Sequence, residues 1–316
     1  MNNPTQPSTA RAGVLAAFAT VYVVWGSTYL AMRVAIETLP PLFMAGCRFL
    51  IAGGALFFWL WLRGERLPGR DQWRSAVFAG GLMLAGGNGL VVWSEQTVPS
   101  GLTALLVGLT PVWFAALEWL RPGGRRPDTR TVAGILVGFS GVALLAGHGP
   151  AGGRMVNPLG VAALMLAGIS WAAGSLYARY HSPTQSPWMN AALQMLCGSV
   201  LLLGAGCATG ESARLNWAAM SARSLSALGY LIVFGSWIGF GAYVWLLKAS
   251  QPSHVATYAY VNPVIALFLG RLLLDEPLTS RVLWAAAVIL AGVVITTLPR
   301  TRWEKSFAAE GSEPVG

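Results

Sequence analysis

The chain has 316 residues, 55% of them hydrophobic and only 10% charged, with a formal net charge of +9 and a mean hydropathy of +0.57. A soluble domain of this size needs more charge to cover its surface, so the composition reads as a polytopic membrane protein built from apolar runs of roughly 20 residues, the thickness of a bilayer core. The positive charge does not point to nucleic acid, because the basic residues gather at the ends of the apolar runs and no tract alternates basic with aromatic residues.

A polar segment, residues 1–12, precedes ten apolar runs at about 13–33, 41–62, 75–95, 100–120, 130–147, 158–179, 187–208, 224–247, 253–273 and 280–298, and a polar tail follows at 299–316. The first run follows a single basic residue, Arg11, without a convincing small-residue cleavage site, and is read as a retained helix rather than a secretory signal. Its second half reads VWGSTYLAMR. Trp25, Tyr29 and Arg33 recur at intervals of four and so share one helical face, with Ser27 beside them. Arg33 fits a snorkelling interfacial position; Trp25 is too deep for an interfacial belt, and packing and cavity lining both remain open for it.

Arg48 lies several residues into the second span, where a guanidinium needs a partner or water; a gate or cavity contact competes with helix-to-helix bonding. The third span holds GGNGLVVWSEQ, residues 86–96. Its Asn88 is read as an interhelical bond or a cavity group, with Trp93 five residues on, and Glu95 as a solvated span end or a coupling carboxylate. The fourth span carries Thr110 and Pro111 near its centre and Glu118, equally ambiguous, near its end. Pro111 lacks an N–H and frees a carbonyl near Val107, and Pro263 in the ninth span does the same near Ala259. Such breaks are tolerated in hydrocarbon only against protein or a wet cavity. Trp171, Ser175 and Arg179 share a face of the sixth span, and Tyr258, Tyr260 and Asn262 lead into Pro263. Asp275 and Glu276 stand just before the tenth span, where carboxylates favour a helix N-terminus.

With the N-terminus inside, 14 Lys and Arg fall on the cytoplasmic side, including Arg63, Arg66, Arg70, Arg74, Arg121, Arg125, Arg126 and Arg130, against six outside. The bias predicts both termini in the cytoplasm. A repeat also emerges: Trp25 and Arg33 recur as Trp171 and Arg179, Gly87 and Trp93 as Gly239 and Trp245, Pro111 as Pro263, and Gly141 as Gly292. Five spans precede the second copy. An odd number turns it over, so the pattern predicts an all-α protein of ten transmembrane helices in two inverted five-helix repeats, 13–148 and 155–298, around a central cavity.

Cys47, Cys197 and Cys207 all lie in apolar runs, implying no disulfide framework. His148, His181 and His254 are scattered without metal-ligand spacing, so no metal and no cofactor is expected. A membrane-embedded lipid-modifying enzyme would need concentrated His, Cys, Asp or Glu, whereas the acidic residues fall mostly in loops; the expectation is no enzyme.

VWGSTYLAMR, LPPLFMAGCRFLIAGG, GNGLVVWSEQTVPSG, SWAAGSLYAR and ATYAYVNPVIALFLG, in this order across nearly all ten spans, together resemble the EamA branch of the drug/metabolite transporter superfamily. The resemblance implies an inner-membrane exporter of amino acids, their derivatives or amphiphilic and cationic drugs. Small multidrug members of that superfamily carry a first-helix glutamate for proton coupling that this chain lacks. The expected solute site comprises Trp25, Ser27, Tyr29, Asn88, Trp93, Thr110, Pro111, Trp171, Ser175, Tyr258, Tyr260, Asn262 and Pro263, with Arg48, Glu95 and Glu118 in coupling or gating. Alternating access is expected, with passive facilitation as the alternative. The partners implied are a small solute and the lipid bilayer, and two repeats in one chain make a monomer sufficient.

Overall fold

The computed structural model describes residues 8–121, 129–146, 157–181, 186–249, 255 and 257–297. Residues 1–7, the polar tail 299–316 and the basic loop residues Arg125 and Arg126 lie outside them, while the rest of the polar N-terminal segment joins the first helix. All regular structure among the described residues is helical. In chain order, α1 is Ser8–Ala35, α2 Pro41–Leu62 and α3 Arg70–Ser94, the last with a π-helical stretch at Gly81–Asn88. The helix pair α4 (Ser100–Val107) and α5 (Thr110–Leu120) follows, then α6 (Thr129–Ala146), α7 (Pro158–His181) and α8 (Pro187–Ala208). Next comes α9, with an apolar span Ala222–Leu246 and a second π-helical stretch at Leu231–Phe240, then α10 (Tyr258–Leu274) and α11 (Ser280–Thr297).

Prolines open α2 and α8. The first turn of a helix has no use for the missing N–H, and the fixed φ suits it. Seven described helices are long and apolar enough to cross a membrane, counting α4 and α5 as the two halves of one span. Three shorter apolar helices, Thr129–Leu144, Val261–Leu274 and Ser280–Ile295, occupy the expected fifth, ninth and tenth runs. Large apolar side chains, among them Phe58, Leu166, Val200, Phe268 and Trp284, face outward and remain exposed, as a lipid-facing surface requires.

The helices associate in pairs, α2 along α8 and α6 along α11. In a bilayer such pairing depends on close approach, since lipid tails are as apolar as leucine. Gly141 and Gly292, which correspond in the repeat, both lie on the α6–α11 seam. A β-carbon on Gly141 would fall 2.6 Å from Cγ1 of Ile289, and one on Gly292 would fall 2.6 Å from the Cα of Gly138.

Candidate functional site

Between the pairs, α1 runs beside α9 and α10, and α7 packs on the π-helical stretch of α3. Where these helices meet, a cavity opens, with about 660 Å³ of space free of protein atoms when its open mouth is included. Its wall draws on α1 (Trp25, Thr28, Tyr29), α2 (Arg48, Phe49), α3 (Gly87, Asn88), the α4–α5 span (Val107, Thr110), α7 (Trp171), α9 (Gly235, Phe240) and α10 (Tyr258).

The two tryptophans of the repeat meet at the centre, their rings edge to face with centroids 5.8 Å apart. Trp25 also packs on Tyr243 at 4.8 Å and on Tyr258 at 5.4 Å, and Trp171 on Tyr243 at 6.0 Å. Glycines in the π-helical stretches make room for them. A β-carbon on Gly239 would lie 2.6 Å from Nε1 of Trp25, and one on Gly87 would lie 3.0 Å from Cε3 of Trp171. Trp25 completes its environment by donating from Nε1 to the Gly235 carbonyl, 3.4 Å away.

Arg48 is 4% exposed. Its Nε donates to Ser236 Oγ at 2.9 Å, and that hydroxyl donates in turn to the Leu231 carbonyl five residues earlier, at 3.1 Å. The guanidinium carbon sits 4.7 Å from the Phe49 ring centroid, and Nη1 has no hydrogen-bond partner. The Asn88 amide nitrogen faces the Met32 sulfur at 3.9 Å, and its Oδ1 is unpartnered.

Other residues expected at the site lie off this wall. Ser27 points to the far side of α1, where its hydroxyl meets Tyr230 Oη at 2.6 Å and bonds back to Val23 and Val24. Ser175 is buried beside the Tyr243 hydroxyl at 3.5 Å. Trp93 is half-buried outside the cavity. The side chain of Tyr260 falls outside the described residues. Asn262, with its amide nitrogen turned inward, donates to the carbonyls of Tyr22 at 3.1 Å and Tyr258 at 3.2 Å, so it ties α1 to α10.

The two proline breaks, both expected at the solute site, differ from each other. At Pro111 the span parts into α4 and α5, and the carbonyl of Val107 is taken by the Thr110 hydroxyl at 2.5 Å. Pro263 stays within one helix. Gly108 of the first break lies against the second: a β-carbon there would sit 3.2 Å from both the Ala259 carbonyl oxygen and Pro263 Cγ. Neither proline lines the cavity.

The carboxylates also separate. Glu95 is fully buried, its backbone carbonyl accepts from Arg33 Nη1, and neither side-chain oxygen has a hydrogen-bond partner; it does not line the cavity. Glu118 sits on a half-exposed cluster, accepting from Tyr180 Oη at 3.0 Å and pairing with Arg121 at 3.3 Å. Glu276 does not serve the helix it precedes. It caps α4, accepting from Ser100 N at 2.7 Å, Ser100 Oγ at 2.8 Å and Gly101 N at 3.0 Å. Asp275, in the left-handed region at φ 52°, ends α10.

Sequence reasoning missed Tyr243, Phe49 and Phe240. Tyr243 corresponds in the repeat to Val91, so no echo marked it. A helical-phase count would have placed Phe49 next to Arg48 but not toward the centre.

The EamA-like transporter family model matches residues 11–147 and again 158–298. The chain is 40% identical over 281 residues to the uncharacterized inner membrane transporter YedA of Escherichia coli, covering 88% of each chain. It is 27% identical over 310 residues to a probable amino-acid metabolite efflux pump of the same species, covering 93% of this chain and 97% of that one. A solved crystal structure, 20% identical, superposes with a TM-score of 0.63 over 92% of this chain and 98% of its own, a likeness of fold. With its apolar helices and two matched halves, this multi-pass membrane protein belongs to the EamA-like transporter family.

Proposed function

We propose that the chain exports small metabolites, amino acids or their derivatives among them, or amphiphilic drugs across the inner membrane, by rocking two inverted five-helix repeats about the central cavity. The observation that carries this reading is the meeting of Trp25 and Trp171, each seated over a glycine of a π-helical stretch in the other half of the chain. Repeat-related residues that converge at a cavity are what an alternating-access site between inverted repeats needs. Wide π turns interrupt the regular ladder, so α3 and α9 have a place to bend. The positive-inside bias supports cytoplasmic termini.

Passive facilitation without proton coupling is the second reading. One observation favours it: among the described residues, no Asp or Glu lines the cavity. Flux in proteoliposomes tests both, with aromatic amino acids and a planar organic cation offered with and without an imposed pH gradient. Accumulation only under the gradient means coupled export, and flux that merely equilibrates the solute means facilitation. Absence of flux for every solute that binds would refute transport.

A further inference from the structure

Of the described residues lining the cavity, Arg48 alone is charged. We infer that the cavity selects by charge. It takes an amphiphilic carboxylate of net negative charge, an aromatic or apolar acid whose amine, where present, is neutralised by acylation, over the matching zwitterion or cation. This rests on the reading of the cavity as the solute site.

Arg48 makes no ion pair among the described residues, and it is buried with Nη1 free of any hydrogen bond. A desolvated guanidinium without a counter-ion is costly, and an entering carboxylate supplies both the missing charge and the missing acceptor. The surroundings hold the group in place. Ser236 fixes Nε, Phe49 lies beside the guanidinium, and Gly235 leaves room: a β-carbon there would fall 2.8 Å from Nη2.

A second orphan specifies more. Asn88 Oδ1 is an acceptor without a donor, and an amide N–H on the solute would satisfy it. The rings of Trp25, Trp171 and Tyr258 then meet an apolar or aromatic body. Those rings would also attract a cation through their faces, but a cation in this cavity meets Arg48 as a like charge at low dielectric, with no carboxylate among the described residues of the wall to offset it. Charge therefore decides against cations although the aromatic lining suits them.

Three probes with the same phenyl body separate the outcomes: N-acetylphenylalanine as anion, phenylalanine as zwitterion, and phenethyltrimethylammonium as permanent cation. Binding to the full chain in micelles is read by quenching of tryptophan fluorescence, and flux in proteoliposomes is read beside it. The anion is expected to bind tightest and the cation weakest, at least about tenfold apart, the scale of one charged hydrogen bond. In Arg48→Gln the ranking should flatten. Arg48→Lys should keep the order but narrow it, since a point charge replaces the fork. The series in the unaltered protein stands even if the variants fold poorly. A cation bound as tightly as the anion, or the same ranking in Arg48→Gln, overturns the inference. Selective binding of the anion without flux would sink the transport reading and leave the charge rule standing, whereas flux that prefers the cation would do the reverse.

Discussion

Gly239→Ala puts the central packing to the most direct test. In a helix, glycine to alanine ordinarily gains about 1 kcal/mol in propensity. Here the new methyl would sit 2.6 Å from Nε1 and 2.8 Å from Cδ1 of Trp25, where non-bonded atoms want about 3.5–4.0 Å. The indole must retreat by roughly 1 Å to restore that separation. It has little freedom to do so, being packed on Trp171, Tyr243 and Tyr258 and bonded to the Gly235 carbonyl. Overpacking of this kind costs about 1–3 kcal/mol, so strain outweighs propensity and the net is a loss of up to about 2 kcal/mol. Thermal unfolding of the purified protein in micelles reads it as a lowered midpoint. Gly87→Ala, where the nearest atom of Trp171 is 3.0 Å away, should lose less. Trp25→Leu in the same chain should rescue Gly239→Ala, a coupling of about 0.5–3 kcal/mol between touching residues. A Gly239→Ala protein as stable as the parent, or one that Trp25→Leu fails to rescue, would refute the reasoning.

Other expectations rest on contacts between distant parts of the chain. Glu276→Ala strips the α4 N-terminus of its three bonds and should destabilise by about 1–3 kcal/mol, while Glu276→Gln, which keeps an acceptor, loses less; equal midpoints for Ala and parent would remove the cap from the argument. Glu211, in the loop after α8, accepts from the Phe43 N–H at 2.9 Å at the start of α2. Burial pushes its carboxyl above the usual range, against the pull of the Phe43 and Leu42 N–H groups and of Arg214. Because the folded state favours the protonated form, the stability it contributes is full below the ordinary glutamate pKa of about 4.3 and is lost as pH rises through the raised value. Glu211→Gln should therefore fall less in midpoint than the parent across that rise, and parallel pH profiles would contradict this. A cysteine placed in the 63–69 connection between α2 and α3 should resist labelling by an impermeant reagent in intact cells, and labelling from outside would overturn the cytoplasmic assignment.

How much of this could be read in advance depended on whether the signal was local or cooperative. The apolar runs, their small-residue seams and the echo of Trp25 in Trp171 are visible in the chain, because hydrocarbon imposes helix length and a repeat imposes spacing. The runs around α6, α10 and α11 came through as shorter apolar helices among the described residues, in the places the hydropathy indicates. Which face each polar residue turns to is another matter. Ser27 and Trp25 are two residues apart, and only the packing of α1 sends one to Tyr230 and the other to the centre. Trp93 follows Asn88 by five residues of regular helix, about 140° round the axis, so it leaves the cavity wall that Asn88 lines.

Proline chemistry was legible as a freed carbonyl, but the partner that took it at Pro111 was Thr110 within the break. Glu276 bonds 176 residues away, a distance along the chain that no local pattern spans. By itself the sequence determined a helical membrane protein of two similar halves, because burial of the backbone in lipid leaves few alternatives. Only the tertiary structure decided that Arg48, Asn88 and the two tryptophans share one cavity while Asn262, Ser27 and the carboxylates do not. Side-chain direction depends on how helices approach, and that approach depends on every glycine and ring along their seams.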